Sequence, residues 1–349
     1  MKKKNCIIIH GGGLVDSSKV VLMSLANHLE TSNVFDTIYI GRYSFEALYT
    51  QEFWYTYNWR LAETVKTKRG TFFGTARGID LTDPEKFEKA KKCLLENNIG
   101  TVIVCGGDGS SRQCREIHKE FQEIGINIIF PVPLTIDGIN GGEAIGLKQA
   151  VRESVRQIEN IVSTSLETRD NEKYGVVMIE TQGRNRDDII ANVLKKFVTK
   201  CSVADCDLSD LLLIVVPANM ETNEEELINS INSSEKRTLV LVSEGSNIKI
   251  SELAKKVNRK VRSLVVGHPA QSNGMTFPQD EHEYDMWMAQ CASIITTAVI
   301  EEDHTSFCIV KDGTFRKEPI DYYAKLNPRK NQKAELSDDL IELLKEYMI

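Results

Sequence analysis

The chain has 349 residues, more than one hydrophobic core normally holds, and 41% of them are apolar, so two domains within one globular protein are expected. With 43 Lys plus Arg against 50 Asp plus Glu, the net charge of −7 argues against sequence-independent affinity for nucleic acid or an anionic membrane. A small molecule is the expected partner.

The N-terminal MKKKNCIIIHGGG has an apolar stretch too short for a signal peptide and reads as a first strand, 6–10. Further β-branched runs follow at 36–41, 101–105, 127–132, 176–180, 211–217, 238–244 and 263–267, separated by longer charged segments of helical period. Strands that read as continuous apolar runs alternating with helices predict an α/β fold: mostly parallel sheets covered by helices on both faces. Residues 83–98 predict a helix, opened by Thr82-Asp83-Pro84-Glu85 and carrying Phe87, Ala90, Cys93 and Leu94 on one face. Residues 142–162 predict a long helix bridging the two halves, and the amphipathic tail 336–349 is expected to pack. The eight cysteines, Cys6, Cys93, Cys105, Cys114, Cys201, Cys206, Cys291 and Cys308, show no zinc spacing, and several lie in apolar runs as small core residues. No run approaches a membrane span, and a cytoplasmic protein is expected.

Parallel sheets bind ligands at the carboxyl ends of their strands, where the glycine clusters of this chain fall. After the strand 101–105 comes Gly106-Gly107-Asp108-Gly109-Ser110. Backbone N–H groups there, unobstructed by side chains, can face phosphate oxygens while Asp108 holds a bridging Mg²⁺; a tight turn with a capping Asp explains the same residues equally well. After 127–132 comes Thr135-Ile136-Asp137-Gly138, where Asp137 can accept the proton of an attacking hydroxyl or cap a helix. His10-Gly11-Gly12-Gly13 permits a turn around a nucleotide, although such first turns are common in α/β proteins. Arg184 in ETQGR and Glu244 in SEG can bind phosphate and sugar hydroxyls; each, taken singly, also reads as a surface charge.

Taken in order, the glycine turn near 11, EALY (46–49), GTFFGTAR (70–77), GGDGS (106–110), TIDG (135–138), QGR (182–184), SEG (243–245), RSLVVGH (262–268) and VKDGTFRKEPI (310–320) resemble the phosphofructokinase family over nearly the full chain. The resemblance implies two α/β domains, 1–148 plus about 275–305 for nucleotide and 149–274 plus about 306–349 for sugar phosphate. It implies catalytic roles for Asp137 as base, Thr135 at the transferring phosphoryl group and Arg184. It places ATP at Gly12, Arg77, Gly107, Asp108, Gly109 and Ser110, with Mg²⁺ on Asp108. Acceptor contacts fall on Glu244, Arg262, His268 and the position of Gln271. A homo-oligomer, dimer or tetramer, is implied as well.

The chain departs from the family at definite places. TIDND is here Thr135-Ile136-Asp137-Gly138-Ile139, without the second Asp, and the loop after it counts two residues shorter. HIQRGG is HPAQSNG (268–274), so Gln271 stands for an Arg of the sugar-phosphate site, and an Arg that the family supplies across a subunit interface aligns with Gly175. GGDGSxxGA ends in Ser110-Ser111-Arg112-Gln113-Cys114, and the effector-binding basic residues near 19–26 are largely absent. The resulting expectation is ATP- and Mg²⁺-dependent phosphoryl transfer to a sugar or sugar phosphate with an altered acceptor site. The alternatives are a non-catalytic paralogue that senses nucleotide or sugar phosphate, a pyrophosphate-dependent enzyme, and a lipid or NAD kinase relative, which also uses GGDG.

Overall fold

Runs that are apolar at every position can satisfy both faces only inside a covered sheet, and here they do. The computed structural model describes residues 3–11, 15–66, 68, 72–76, 78–135, 146–166, 175–183, 186–203, 208–266, 278–302, 306–311, 314–319 and 336–349. The chain divides into two compact units, Met1–Gly146 with Ser272–Pro328, and Leu147–Gln271 with Arg329–Ile349.

In the first unit, β1 (Asn5–His10), β2 (Ile38–Gly41), β3 (Trp54–Thr56), β4 (Ile99–Gly106) and β5 (Asn127–Pro133) form one sheet in the order β3-β2-β1-β4-β5. All pairings are parallel except that of β3. The chain moves outward from β1 to β2, then returns to place β4 on the other side of β1. The topological switch therefore lies between β1 and β4, where the carboxyl ends open a crevice.

Alternation divides the core between the two faces. Ile7, Ile9, Val102 and Val104 pack with Ala90 and Leu94 of α3 (Pro84–Glu96) and with Ile117 and Phe121 of α4 (Asp108–Glu123). Asp83 caps α3 by accepting from the backbone N–H groups of Glu85 and Lys86, with Pro84 in the first turn, as the sequence predicts. On the other side α1 (Val15–Ser32) lies against the helix Pro278–Ile300, where Ser24 Oγ donates to Asp285 Oδ1 at 2.5 Å.

The second unit has a four-stranded, wholly parallel sheet, β7-β8-β6-β9, from β6 (Val176–Thr181), β7 (Leu211–Val216), β8 (Arg237–Ser243) and β9 (Val261–Val266). Its helices are α5 (Leu147–Leu166), α6 (Asp187–Val203), α7 (Glu224–Ser233) and α8 (Ile250–Lys256). Val176, Met178, Val240 and Val242 bury against Leu227 and Ile231 of α7 and Leu253 of α8. The tail does pack: it forms the helix Asp338–Glu346, Val215 N donates to Tyr347 O at 2.8 Å, and Ile349 rests on this core.

Three elements differ from expectation. The long helix predicted at 142–162 is described from Leu147, and 136–145 lie outside the described residues. The antiparallel β3 follows from Tyr55 and Trp54 pairing with Ile40 and Gly41. The strands β10 (Ser306–Lys311) and β11 (Thr314–Pro319) form a separate antiparallel pair. They fall in the first unit, while 329–349 fall in the second, against the expectation of 306–349 in one domain; β10 lies beside β5. Among the described residues no helix is long and apolar enough to cross a membrane. Among the described residues no cysteine is in a disulfide, and burial pushes the Cys105 thiol up to about 12, so it is a core residue and not a thiolate.

His10 ends β1 fully buried, with Nε2 lacking a hydrogen-bond partner, and burial lowers its imidazole from 6.5 to about 4. Above pH 6.5 the ring is neutral in the folded and unfolded chain alike and contributes nothing to pH dependence. As pH falls below 6.5 the unfolded chain takes up the proton first, so stability is lost progressively toward pH 4, by about 3 kcal/mol in all. His10→Leu is expected to flatten this part of the profile in urea unfolding. A wild-type slope retained in the variant would show that another group is responsible.

Candidate active site

The switch point of the first unit is closed by backbone. Gly11 N donates to Cys105 O at 2.7 Å, tying the ends of β1 and β4 together, and Ser110 Oγ donates back to Gly11 O at 3.0 Å. A Cβ on Gly11 would sit 1.8 Å from Ser110 Oγ, and one on Gly106 would sit 2.6 Å from that atom and 3.2 Å from Gly11 Cα. Glycine is therefore required at 11 and 106 by close approach, and the buried Ser110 is the pin between them.

Gly107 and Gly109 are different. Gly107 has φ −95°, Gly109 lies in the first turn of α4, and neither is among the positive-φ residues. A Cβ on Gly109 would meet no described atom within 4 Å, and one on Gly107 would meet Thr135 at an ordinary 3.7 Å. Among the described residues neither conformation nor packing asks for glycine at these two positions. The first N–H groups of α4 begin at this turn, and the cap residue Gly107 offers them no side chain.

Thr135 arrives at this turn from the neighbouring strand. Between Ile103 and Cys105 the register of β4 on β5 slips, because β5 carries one more residue, Ile129 to Val132 against Ile103 to Cys105. Leu134 N then donates to Gly106 O at 2.9 Å, and Gly146 N donates to the Thr135 carbonyl at 3.0 Å. Thr135 is buried beside Gly107, so the first residue of TIDG lies against the GGDG turn. The segment leading to Arg77 is docked on the same edge: Tyr43 N donates to Phe73 O at 3.0 Å, and a Cβ on Gly74 (φ +65°) would strike the Tyr43 ring at 2.6 Å.

In the second unit the carboxyl edge of the sheet holds a latch. Glu244, just past β8, donates its N–H to Thr181 O at 2.9 Å, and its Oε2 accepts from Gly183 N at 2.9 Å. Gly183 needs its glycine, with φ +102° and Ile189 Cδ1 only 2.4 Å from a built Cβ. SEG and the start of QGR are thus brought together. Glu180 stands on the same edge, its carboxyl raised by burial, lowered in part by Lys249 and raised again by Glu244. Asp187 accepts from Ala218 N at 2.7 Å and Asn219 N at 2.9 Å and so holds the turn after β7. The sequence pattern gave no sign of either role, because each depends on which turn folds beside it.

Arg262 is not brought to this edge within its own unit. It is the second residue of β9, paired with Val177, and four residues of strand, about 13 Å, separate it from Val266. Arg186 is committed to Asp188 in a two-pronged pair, Nε to Oδ1 at 2.8 Å and Nη2 to Oδ2 at 2.6 Å. Asp137, Arg184, Gly12, Arg77, His268 and Gln271 lie outside the described residues, as does the Asp108 side chain. Among the described residues no group of three His, Cys, Asp or Glu is placed to hold a metal.

The sequence model of the family Phosphofructokinase matches residues 5–295. The chain belongs to the phosphofructokinase family. It is 26% identical over 353 aligned positions to an ATP-dependent 6-phosphofructokinase of Mannheimia succiniciproducens, covering 97% of this chain and 98% of that one. Identity to the Haemophilus influenzae ATP-dependent 6-phosphofructokinase is 25%, covering 77% and 78%. Among solved phosphofructokinases, the Marinobacter aquaeolei pyrophosphate-dependent enzyme matches with a TM-score of 0.72 at 15% identity, over 99% of this chain and 91% of that one. The Pichia pastoris phosphofructokinase in the T-state matches with a TM-score of 0.68 at 17% identity over 92% of this chain, which spans 38% of the Pichia chain. These two likenesses establish the phosphofructokinase fold.

The two classes of glycine separate in stability. Gly106→Ala is expected to cost about 1–3 kcal/mol through overpacking against Ser110 and Gly11. Gly109→Ala is expected to leave stability unchanged or to raise it by up to about 1 kcal/mol, since it lies in a helix with open space around it. Denaturant midpoints of the two variants check this; equal losses would refute the distinction.

Proposed function

We propose that the chain transfers a phosphoryl group from ATP to a hydroxyl of a sugar or sugar phosphate. The observation that carries this reading is the meeting of Thr135 with the glycine turn Gly107–Gly109 at the β1/β4 switch point. A polyphosphate suits that turn, because a Cβ at Gly109 would meet no described atom and the uncapped N-terminus of α4 begins there. Mg²⁺ in such sites takes one or two carboxylates with phosphate oxygens for its remaining ligands, and Asp108 is the carboxylate this chain supplies at the turn. When bound, it neutralises the charge of the phosphate oxygens during transfer.

The chain's own residues then have these tasks. Asp137 accepts the proton of the acceptor hydroxyl as its oxygen bonds to the γ-phosphorus and the bond from phosphorus to the ADP oxygen breaks. Thr135 and Arg184 contact the transferring group, and Gly12, Arg77 and Ser110 serve the nucleotide phosphates. Glu244 accepts sugar hydroxyls from its latched position, joined by Arg262, His268 and Gln271. Arg262 lies far along β9 from Glu244 in the same unit, which supports a homo-oligomer, dimer or tetramer, in which a second copy brings it to the site.

ATP is favoured over pyrophosphate on two grounds. Gly109 leaves room for the α-phosphate, and Leu134 is fully buried and offers no cation where the resemblance marks a Lys in pyrophosphate enzymes, although it is not the Gly of the ATP enzymes either. The acceptor differs from fructose 6-phosphate because two arginines around its phosphate are replaced, by Gly175 and Gln271. Arg186 is already paired with Asp188. Two lost charge-assisted hydrogen bonds are worth about 3–6 kcal/mol, or roughly 10²–10⁴ in affinity.

Purified protein with Mg-ATP or pyrophosphate, tested against a panel of sugars and sugar phosphates, checks the reading. ATP is expected to exceed pyrophosphate as donor, and kcat/KM for fructose 6-phosphate is expected well below the ~10⁵ M⁻¹s⁻¹ ordinary for an enzyme on its own substrate. Asp137→Asn is expected to lower transfer by about 10²–10⁴ with the fold intact. A variant that keeps more than half the activity would remove Asp137 from the mechanism. The missing second acid of TIDG favours a second reading, a non-catalytic nucleotide or sugar-phosphate sensor. Mg-ATP binding without turnover on any acceptor would select it.

A further inference from the structure

At the carboxyl end of β2, Arg42 has features that the transfer reading leaves unused. The chain passes from it into two successive left-handed residues, Tyr43 (φ 59°) and Ser44 (φ 62°), a backbone that residues other than glycine adopt where the surroundings over-determine it. The guanidinium is clamped between rings: its Cζ lies 4.7 Å from the Tyr43 centroid and 5.7 Å from that of Tyr55, and Nη2 donates to Tyr43 Oη at 2.8 Å. Tyr55 is braced in turn by Phe72 at 5.8 Å and Phe73 at 6.3 Å. Yet Arg42 Nε is buried without a hydrogen-bond partner, and among the described residues no carboxylate pairs with the cation.

A partly buried cation held only for packing would have its charge met by a carboxylate of the chain, because an unpaired charge away from water is costly. Position shows where an acceptor would come from. Gly41 pairs with Ile9, so Arg42 follows at the same carboxyl edge as the Gly11 turn, one strand from the switch point. The Tyr43 that clamps it also anchors the Phe73–Gly74 segment leading to Arg77.

We propose that Arg42 is a donor-specificity residue that holds a phosphoryl group of the donor. A planar, charged fork without a carboxylate partner suits an anion carrying two or more oxygens, whereas a ribose or a base would leave the charge uncompensated. The proposal rests on the reading that the first unit binds the phosphoryl donor.

Calorimetric binding of Mg-ATP, inorganic tripolyphosphate and adenosine to the wild type, Arg42→Met and Arg42→Lys tests it, with thermal melts as the check on folding. Arg42→Met is expected to weaken Mg-ATP and tripolyphosphate roughly 10- to 100-fold while adenosine binding is unchanged. Arg42→Lys keeps the charge without the fork and is expected to lose less. The KM for the donor is expected to rise with kcat little altered. Equal losses for adenosine would make Arg42 a base or ribose contact and overturn the proposal, as would wild-type affinities in Arg42→Met. If that variant does not fold, wild-type tripolyphosphate affinity in Arg42→Lys overturns it. A wild type that binds neither Mg-ATP nor tripolyphosphate removes the donor-site reading itself.

Discussion

The approach of β1 to β4 at their carboxyl ends is the constraint on which the first unit depends. A backbone hydrogen bond of 2.7 Å from Gly11 to Cys105 and the return bond from Ser110 leave no room for a Cβ at Gly11 or Gly106. With that seam closed, the chain leaving β4 turns at once into α4, and its first N–H groups begin at that turn. Leu134 then fastens to Gly106, and the extra residue in β5 turns the chain so that Thr135 reaches Gly107. Each step follows from the one before it, and all begin with two glycines and a serine.

The second unit uses carboxylates for the same purpose. Glu244 and Asp187 both accept backbone N–H groups from turns that follow other strands, charge-assisted bonds stronger than neutral ones. Glu244 thereby acquires a defined position at the carboxyl edge of its sheet. The Arg186–Asp188 pair is largely buried and two-pronged, so Arg186 is a structural cation with its charge already spoken for. A basic residue near a strand end is therefore not free to replace a missing substrate contact merely because it is close in sequence.

Most of the strands were legible because burial on both faces favours β-branched residues at successive positions, and these fill at least half of β1, β4 and β6. The cap of α3 was legible because Asp83-Pro84 is local chemistry. β3 was not, since three residues at an edge carry no periodicity, and its pairing with β2 rests on aromatic contacts such as Tyr39 with Trp54 at 5.1 Å. The hairpin β10–β11 escaped for a related reason: its assignment to the first unit depends on lying beside β5, almost two hundred positions earlier in the chain.

The sequence by itself determined the alternation of strands and helices, the placing of glycine clusters after strands, and, through ordered motifs, membership of the phosphofructokinase family. Those are properties of neighbouring residues or of their order, and local sterics and period record them. Only the tertiary structure decided which glycines close packing requires and which it does not, because that depends on what a Cβ at Gly106 or Gly109 would meet among the described residues. It also decided that Arg42 is clamped by Tyr43 and Tyr55, that Arg186 is already paired, and that Arg262 stands at the far end of its strand from Glu244. The physical reason is common to all of these: a side chain's available charge and space are set by residues distant in sequence, and folding alone brings them within reach.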